Sequence, residues 1–399
     1  MQFLKSSALI VAFAVTACSQ QMVSKQGSAP VPERFTDATV PSAFKTIHVF
    51  EGNRDGGGPQ GLVAFHGSLY GSLGSGRNDD LSGAVFSIDT NGREHALVRI
   101  PGPPGQAPLP NLVVLNGHLY GATQFGGTRH RGSVFEVPAS GAARVIHSFS
   151  PGGDQPSSLV AFNGALFGTT MLGGIRQCPP YAGCGVIFEM NRAGAEKVVY
   201  RFTGGTDGGL PFMNLTVWNG QLYGVTAGGY TTSASPLTFG APTAFAFDPA
   251  SGKLRTITTF SGNDHPNSAL SVANGRLYLE GDGGNGDILE IRTSGKRRVV
   301  YSFKGSPDGH RPEGGLTYQN GVLYGTTFSG GIANDGTVFA VTPSGDERIL
   351  HSFTGGRDGQ RATAGVTFYA GALFGGTCCP ENRSGPSSPV KGTVFKLTP

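Results

Sequence analysis

The chain has 399 residues, a formal net charge of +4, only 14% charged residues, and 65 glycines with 26 prolines. Its basic residues are scattered, the densest spot being Lys296, Arg297 and Arg298, so the basic stripe that a nucleic-acid interface needs is missing and no nucleic-acid partner is expected. No stretch after the N-terminal segment carries the 3.6-residue apolar period of a long helix, and the glycines recur at fixed places between short apolar runs, which excludes a helical or featureless chain and points to many short strands joined by tight turns.

In chain order, Lys5 supplies a positive start and residues 8–15 form an apolar run too short to span a bilayer comfortably. The run ends in Val15-Thr-Ala-Cys18, which resembles a bacterial lipobox. Residues 1–17 are therefore expected to be a lipoprotein signal peptide, with Cys18 acylated as the mature N-terminus. Residues 18–43, polar and proline-containing, are expected to be a flexible tether. Ser19 follows the cysteine, where an aspartate would argue otherwise, so the expected address is the outer membrane of the cell envelope, reached through a lipid anchor.

From residue 44 the chain repeats. Seven copies share one hairpin: His66-Gly-Ser-Leu-Tyr-Gly71, Asn116-Gly-His-Leu-Tyr-Gly121, Asn163-Gly-Ala-Leu-Phe-Gly168, Asn219-Gly-Gln-Leu-Tyr-Gly224, Asn274-Gly-Arg-Leu-Tyr-Leu279, Asn320-Gly-Val-Leu-Tyr-Gly325 and Ala370-Gly-Ala-Leu-Phe-Gly375. Asn-Gly between apolar runs predicts a type I′ turn, with a strand on each side. A Gly-rich loop follows, then a third strand such as Gly336-Thr-Val-Phe-Ala-Val341, then a fourth such as Arg348-Ile-Leu-His-Ser-Phe353. Four strands per unit make one propeller blade. The last unit lacks its fourth strand, while residues 44–50 read as a fourth strand with no unit before it. The expected architecture is therefore all-β, a single seven-bladed β-propeller over 44–399, closed by the N-terminal strand joining the last blade. The glycine after Tyr or Phe in the second strand is expected to let backbones approach closely where the blades crowd near the axis.

The recurring Leu-Tyr-Gly-Thr-Thr, Gly-Gly and Gly-Thr-Val-Phe elements, clearest at Thr326-Thr327, Gly330-Gly331 and Gly336–Phe339, resemble the GloVer tandem-repeat proteins of bacteria. The resemblance runs from about residue 44 to the end. It implies export and anchoring, and it implies no reaction or ligand. Copies five and seven depart from the pattern at Leu279-Glu280 and Ala370. Kelch propellers share the Gly-Gly and the period, but Trp218 is the single tryptophan here.

An aspartate recurs after the fourth strand, at Asp55, Asp154, Asp207, Asp264, Asp308 and Asp358. Each loop offers one carboxylate, which suits a side-chain-capped turn and not a Ca²⁺ site with its six or more oxygen ligands. His48, His147 and His351 share one position in the fourth strand, with Tyr200 and Tyr301 in their place elsewhere, and are spread too widely to share a metal. No nucleophile motif, paired-carboxylate signature or phosphate loop appears, so no catalytic residue, metal or cofactor is expected. Cys178 and Cys184 flank one loop and are expected to be disulfide-bonded outside the cytoplasm, whereas the adjacent Cys378 and Cys379 either form a vicinal disulfide or stay as thiols.

The loops after the second and fourth strands open on one face. Phe125, Tyr181, Tyr230, Phe239 and Phe328 are the aromatic candidates there for holding a glycan or an envelope protein. The expected function is that of a monomeric, envelope-anchored binding module. The alternatives are a polysaccharide-acting hydrolase or lyase with a site in the central funnel, and a purely structural envelope protein.

Overall fold

A computed structural model describes residues 43–52, 56–75, 83–102, 106–138, 141–175, 178, 183–228, 240–261, 265–378 and 390–399. Seven antiparallel sheets follow one another, and in six of them the strand order repeats the chain order. In the seventh the strands Thr367–Tyr369, Ala372–Thr377 and Gly392–Thr398 are completed by Ala43–Phe50. Ala43 lies opposite Thr398 and Phe50 opposite Gly392, so the N-terminal strand closes the ring. The first strands of successive blades touch one another and surround the axis. Among the described residues the only helical element is the 3-10 turn Gly356–Asp358. The protein is a seven-bladed β-propeller.

The hairpin turns have the expected geometry. Residues at the Asn position take φ of 47–50° in all seven copies, including His66 and Ala370, and each is followed by a glycine at positive φ. Positive φ at both central residues defines the type I′ turn.

The glycine after the second-strand aromatic has a different cause from the expected backbone approach. In six blades it lies directly opposite a third-strand phenylalanine of its own blade, as in Gly121 opposite Phe135 and Gly224 opposite Phe245. A Cβ on Gly121 would sit 2.3 Å from the Phe135 ring, and one on Gly224 would sit 2.5 Å from the Phe245 ring. The missing side chain makes room for an aromatic ring. Blade 5 shows the same rule inverted: Leu279 replaces the glycine and faces Leu289, which replaces the phenylalanine. The departure of the fifth copy is a paired, volume-conserving exchange.

Those phenylalanines join neighbouring blades. A phenylalanine that ends or directly follows one blade's fourth strand packs edge-on against the next blade's ring: Phe50 on Phe86 at 5.1 Å, Phe149 on Phe188 at 5.2 Å, Phe202 on Phe245 at 5.3 Å and Phe303 on Phe339 at 5.0 Å. All eight rings are buried. Each such contact adds roughly 0.5–1.5 kcal/mol beyond burial.

Nearer the axis, hydroxyls tie the blades together. Thr216 donates to the Leu270 carbonyl, Ser271 to Leu316 at 2.6 Å, Thr317 to Val366, and Thr367 to Leu62 at 2.6 Å. The last of these bonds joins blade 7 to blade 1. Blades 1 to 3 carry Val63, Val113 and Val160 at the equivalent position.

Candidate functional site at the mouth of the ring

One face of the ring, here called the mouth, carries the loops that follow the second and fourth strands. The opposite face carries the Asn-Gly hairpins. At the mouth each blade enters its first strand through a short recurring segment. Its two leading residues are Gly58-Pro59, Ala107-Pro108, Gln155-Pro156, Leu210-Pro211, His265-Pro266, Arg311-Pro312 and Arg361-Ala362. The leading residue takes positive φ in five blades without being glycine: Ala107, Gln155, Leu210, Arg311 and Arg361, at 47–57°. Left-handed backbone at such residues costs of order 1 kcal/mol and persists only where the surroundings hold it. Here the holding contact is a backbone bond to the preceding blade's loop: Gln155 N donates to Arg131 O, Leu210 N to Cys184 O, Arg311 N to Asn285 O and Arg361 N to Asp335 O. In these four blades the bond fixes the direction of the leading side chain.

Segment length decides what comes next. In blades 1 and 3 three residue steps separate the proline from the first-strand leucine (Pro59 to Leu62, Pro156 to Leu159), and the first strand is continuous over Gly57–Phe65 and Gly153–Phe162. In the other five blades the spacing is four steps, and the strand breaks. An extra residue re-aims the side chains beside it. Half-buried Phe212, Asn267 and Thr363 and buried Glu313 occupy this break, and half-buried Gln60 stands at the same place in blade 1.

Charged groups stand at the mouth both between blades 2 and 3, where Arg131 pairs with Asp154, and in blades 5 to 7. Arg311 and Arg361 both rest on the ring of Phe328, their guanidinium carbons 4.6 and 5.2 Å from its centroid. Stacking of this kind holds the guanidinium plane. Arg311 Nη2 also donates to Glu313 Oε2 at 3.2 Å. Burial pushes the Glu313 carboxyl above its ordinary range, and Arg311 partly opposes this. Glu280 is wholly buried behind it. Its Oε2 accepts from Gly315 N at 2.7 Å, while its Oε1 lies against Gly325 with no hydrogen-bond partner. Burial raises Glu280 to about 8, with Glu313 adding to the rise. Ile332, 81% exposed, stands in the blade 6 loop four residues after Phe328.

The sequence candidates distribute as follows. Phe328 carries the arginine pair. Phe125 is half-buried on blade 2, where its N–H donates to Gln106 O, and it is not brought to Phe328. Tyr181, Tyr230, Phe239, Cys18 and Cys379 lie outside the described residues. Cys178 and Cys184 form a disulfide with Cα atoms 5.2 Å apart, and Cys378 is half-buried, its N–H donating to Arg361 O.

Of the six recurring aspartates, Asp207, Asp308 and Asp358 cap turns, Asp154 is instead ion-paired with Arg131, and Asp55 and Asp264 lie outside the described residues. Asp207 accepts from Thr203 N at 2.9 Å, Asp308 from Lys304 N at 2.9 Å and Asp358 from Thr354 N at 2.7 Å. Each also meets the fourth-strand residue seven positions earlier: the Tyr200 hydroxyl at 2.9 Å, the Tyr301 hydroxyl at 2.8 Å and His351 Nε2 at 3.1 Å. The recurring Tyr/His and Asp positions thus form one structural pair in each of these blades. Among the described residues no group of three or more His, Cys, Asp or Glu is placed to hold a metal ion. The basic spot at 296–298 is engaged on the outer strands, where Arg298 bonds Glu290 at 2.7 Å and Pro343 O at 2.8 Å.

Arg311, Arg361 and Glu313 were not singled out from the sequence, whereas Glu280 stood out only as a departure of the fifth copy. The signal of the first three was present, as residues of the segment that precedes each first strand, but it emerges only when the seven entry segments are aligned.

Among solved structures the ring is similar to a catalytically inactive virginiamycin B lyase from Staphylococcus aureus crystallised with quinupristin, at 14% identity and TM-score 0.60 over 90% of this chain and 99% of that one. It is also similar to the computationally designed Ika8 protein (11% identity, TM-score 0.48, 88% and 99% covered) and to TolB from Acinetobacter baumannii (15%, 0.44, 71% and 63%). Identities this low speak to the fold alone. No curated protein matches. The model of the Gloeobacter/Verrucomicrobia repeat matches residues 33–238, just over half of the chain, and the protein belongs to that repeat family.

Proposed function

We propose that this protein is an envelope lipoprotein, anchored through an acylated Cys18, whose ring serves as a binding module with its ligand held at the mouth in the sector of blades 5 to 7. The observation that carries this reading is the cluster of Arg311, Arg361 and Phe328. Polar groups there are fixed by packing on a rigid scaffold, the usual construction of a binding site. The direction of the first strand supports it. Ala43 lies beside the end of the chain on the hairpin face, and the strand rises to Phe50 at the mouth. The start of that strand, where the tether joins the ring, is on the face opposite the cluster.

The test is capture of envelope components by the full chain in mild detergent, comparing wild type with the double variant Arg311→Ala/Arg361→Ala and with Lys253→Ala on an outer strand. Capture lost in the double variant alone supports the reading; capture indifferent to it refutes the reading. For the anchor, Cys18→Ser is expected to abolish palmitate labelling and release the protein from membranes.

A second reading is favoured by Glu313, a buried carboxyl raised above its ordinary range beside a guanidinium. That is the environment of a general acid acting on a polysaccharide. Cleavage of a captured glycan by wild type and its loss in Glu313→Gln would select this reading over binding alone.

A further inference from the structure

The hairpin face, opposite the mouth, carries a basic cluster of its own on blades 4 and 5. In blade 5 Arg276 opens the second strand. The turn between the third and fourth strands brings Arg292, Lys296 and Arg298 to the same end, because Ile291 pairs with Leu277 on one side and with Arg297 on the other. Arg255 of blade 4 joins them, its Nη1 donating to Thr293 O at 3.1 Å. Resting on the lipid-anchored reading above, we infer that this cluster docks the ring on a bilayer surface of anionic phospholipids, whose headgroup phosphates are its ligands.

The cluster holds more positive charge than its surroundings neutralise. Arg276 Nη1, Arg292 Nε and Arg298 Nη2 converge on one carboxylate, Glu290, at 3.0, 3.4 and 2.7 Å. The Glu290 side chain is 1% exposed, whereas those of the arginines are 44, 53 and 43% exposed. Lys296 and Arg255 are exposed too, so one buried carboxylate leaves most of the charge uncompensated. Of the flanking carboxylates, Asp248 accepts from Ala250 N at 3.0 Å and from Ser251 Oγ at 2.6 Å, and Asp346 and Glu347 of blade 6 are half-buried. Equivalent segments elsewhere are balanced. Arg93 stands with Asp89 and Glu94 in blade 1, Arg144 with Glu136 in blade 2, and Arg348 with Asp346 and Glu347 in blade 6.

Placement and shape suit a membrane. The N-terminal strand begins on this face, at Ala43 opposite Thr398, so the chain arrives here from the side of Cys18. Val299, 51% exposed, follows Arg298 on the outer strand and gives a lipid surface an apolar contact beside the cations. A soluble phosphate asks for N–H groups converging on one point. Here the guanidiniums converge on Glu290, and the cations spread outward over two blades. Fixed, spaced cations match a surface of many mobile phosphates, at about fivefold in binding for each.

The test reconstitutes the full chain into vesicles of phosphatidylcholine alone and of equal parts phosphatidylcholine and phosphatidylglycerol. An uncharged amine-acylating reagent then compares Lys296 with Lys304, which follows Phe303 at the mouth end of the same blade. The inference expects Lys296 to label at least about fivefold more slowly on the anionic vesicles, Lys304 to label equally on both, and the protection to vanish at high salt. Arg255→Gln/Arg292→Gln should restore most of the labelling. Arg255→Lys/Arg292→Lys should keep the protection, because a surface potential reads charge and not the guanidinium fork. Melting of each variant confirms that the ring is intact. Equal labelling of Lys296 in a chain that stays in both vesicles overturns this inference and leaves the anchor standing, as does protection by soluble polyphosphate that anionic vesicles do not give. A chain that leaves neutral vesicles but is held by anionic ones, with Lys296 protected, supports the surface and refutes the anchor. A chain that leaves both refutes both.

Discussion

Glu280 makes the stability of the ring depend on pH in a direction opposite to that of most carboxylates. It stands where other blades carry Ser72, Ala122, Thr169, Val225, Thr326 or Gly376, wholly buried at the junction of blades 5 and 6. Burial raises it from the ordinary value of 4.5 to about 8, so at neutral pH it is protonated in the folded protein and ionised in the unfolded chain. Its contribution is therefore full below pH 4.5, declines as pH rises, and is gone above about 8. At roughly 1.4 kcal/mol per pH unit, the whole span amounts to about 5 kcal/mol, an upper bound if the junction relaxes on ionisation. Glu347, raised to about 7 by burial and by Asp308, and Glu313 act in the same direction. Glu280→Gln keeps the shape, keeps an acceptor for Gly315 N and cannot ionise. Equilibrium urea unfolding between pH 5 and 9 is expected to show wild type losing stability steadily, and the variant losing markedly less, the difference being a few kcal/mol by pH 9. If wild type and Glu280→Gln fall in parallel across that range, the carboxyl is not protonated in the folded state and the reasoning is refuted.

Other substitutions test the frame. Ala370 holds a left-handed turn position at φ 47°, and Ala370→Asn is expected to raise the melting temperature, gaining about 0.5–1 kcal/mol. Gly224→Ala drives a methyl to 2.5 Å from Phe245 and 2.9 Å from Leu215, and should cost about 1–3 kcal/mol in chemical denaturation. Thr367→Val removes the hydroxyl that joins blade 7 to Leu62 but installs the residue native to blades 1 to 3. The loss should stay near 1 kcal/mol, and a much larger loss would show that this junction carries ring closure disproportionately. Reducing Cys178–Cys184, which closes a short loop, should lower stability by about 2 kcal/mol, read as a shift in melting temperature with reductant.

The architecture was largely legible because its determinants are local and repeated seven times. Asn-Gly turns, the Gly-Thr-Val-Phe third strand and the offset ends all survive a reading along one dimension, and the ring closure of Ala43–Phe50 on Gly392–Thr398 follows from counting strands. The reason for the second-strand glycine was not legible, because it depends on register: only the pairing of Gly121 with Phe135 reveals that an aromatic ring, not a backbone, fills the space. The Tyr/His position and the recurring Asp were visible separately, and their contact seven residues apart across a turn was not. The site was the least legible part. Phe328 was visible as a rim aromatic, but Arg311 and Arg361 are ordinary surface arginines in sequence and become a pair only because adjacent blades lay them on the same ring. Glu280 was visible as a departure in the fifth copy, and its burial against blade 6 was not.

The most direct measurement of the central claim is a crystal structure of the protein grown with the envelope component that it captures. The account predicts ligand density at the mouth beside Phe328 and Arg311. Density on the hairpin face or on the outer strands, with the mouth empty, would contradict it.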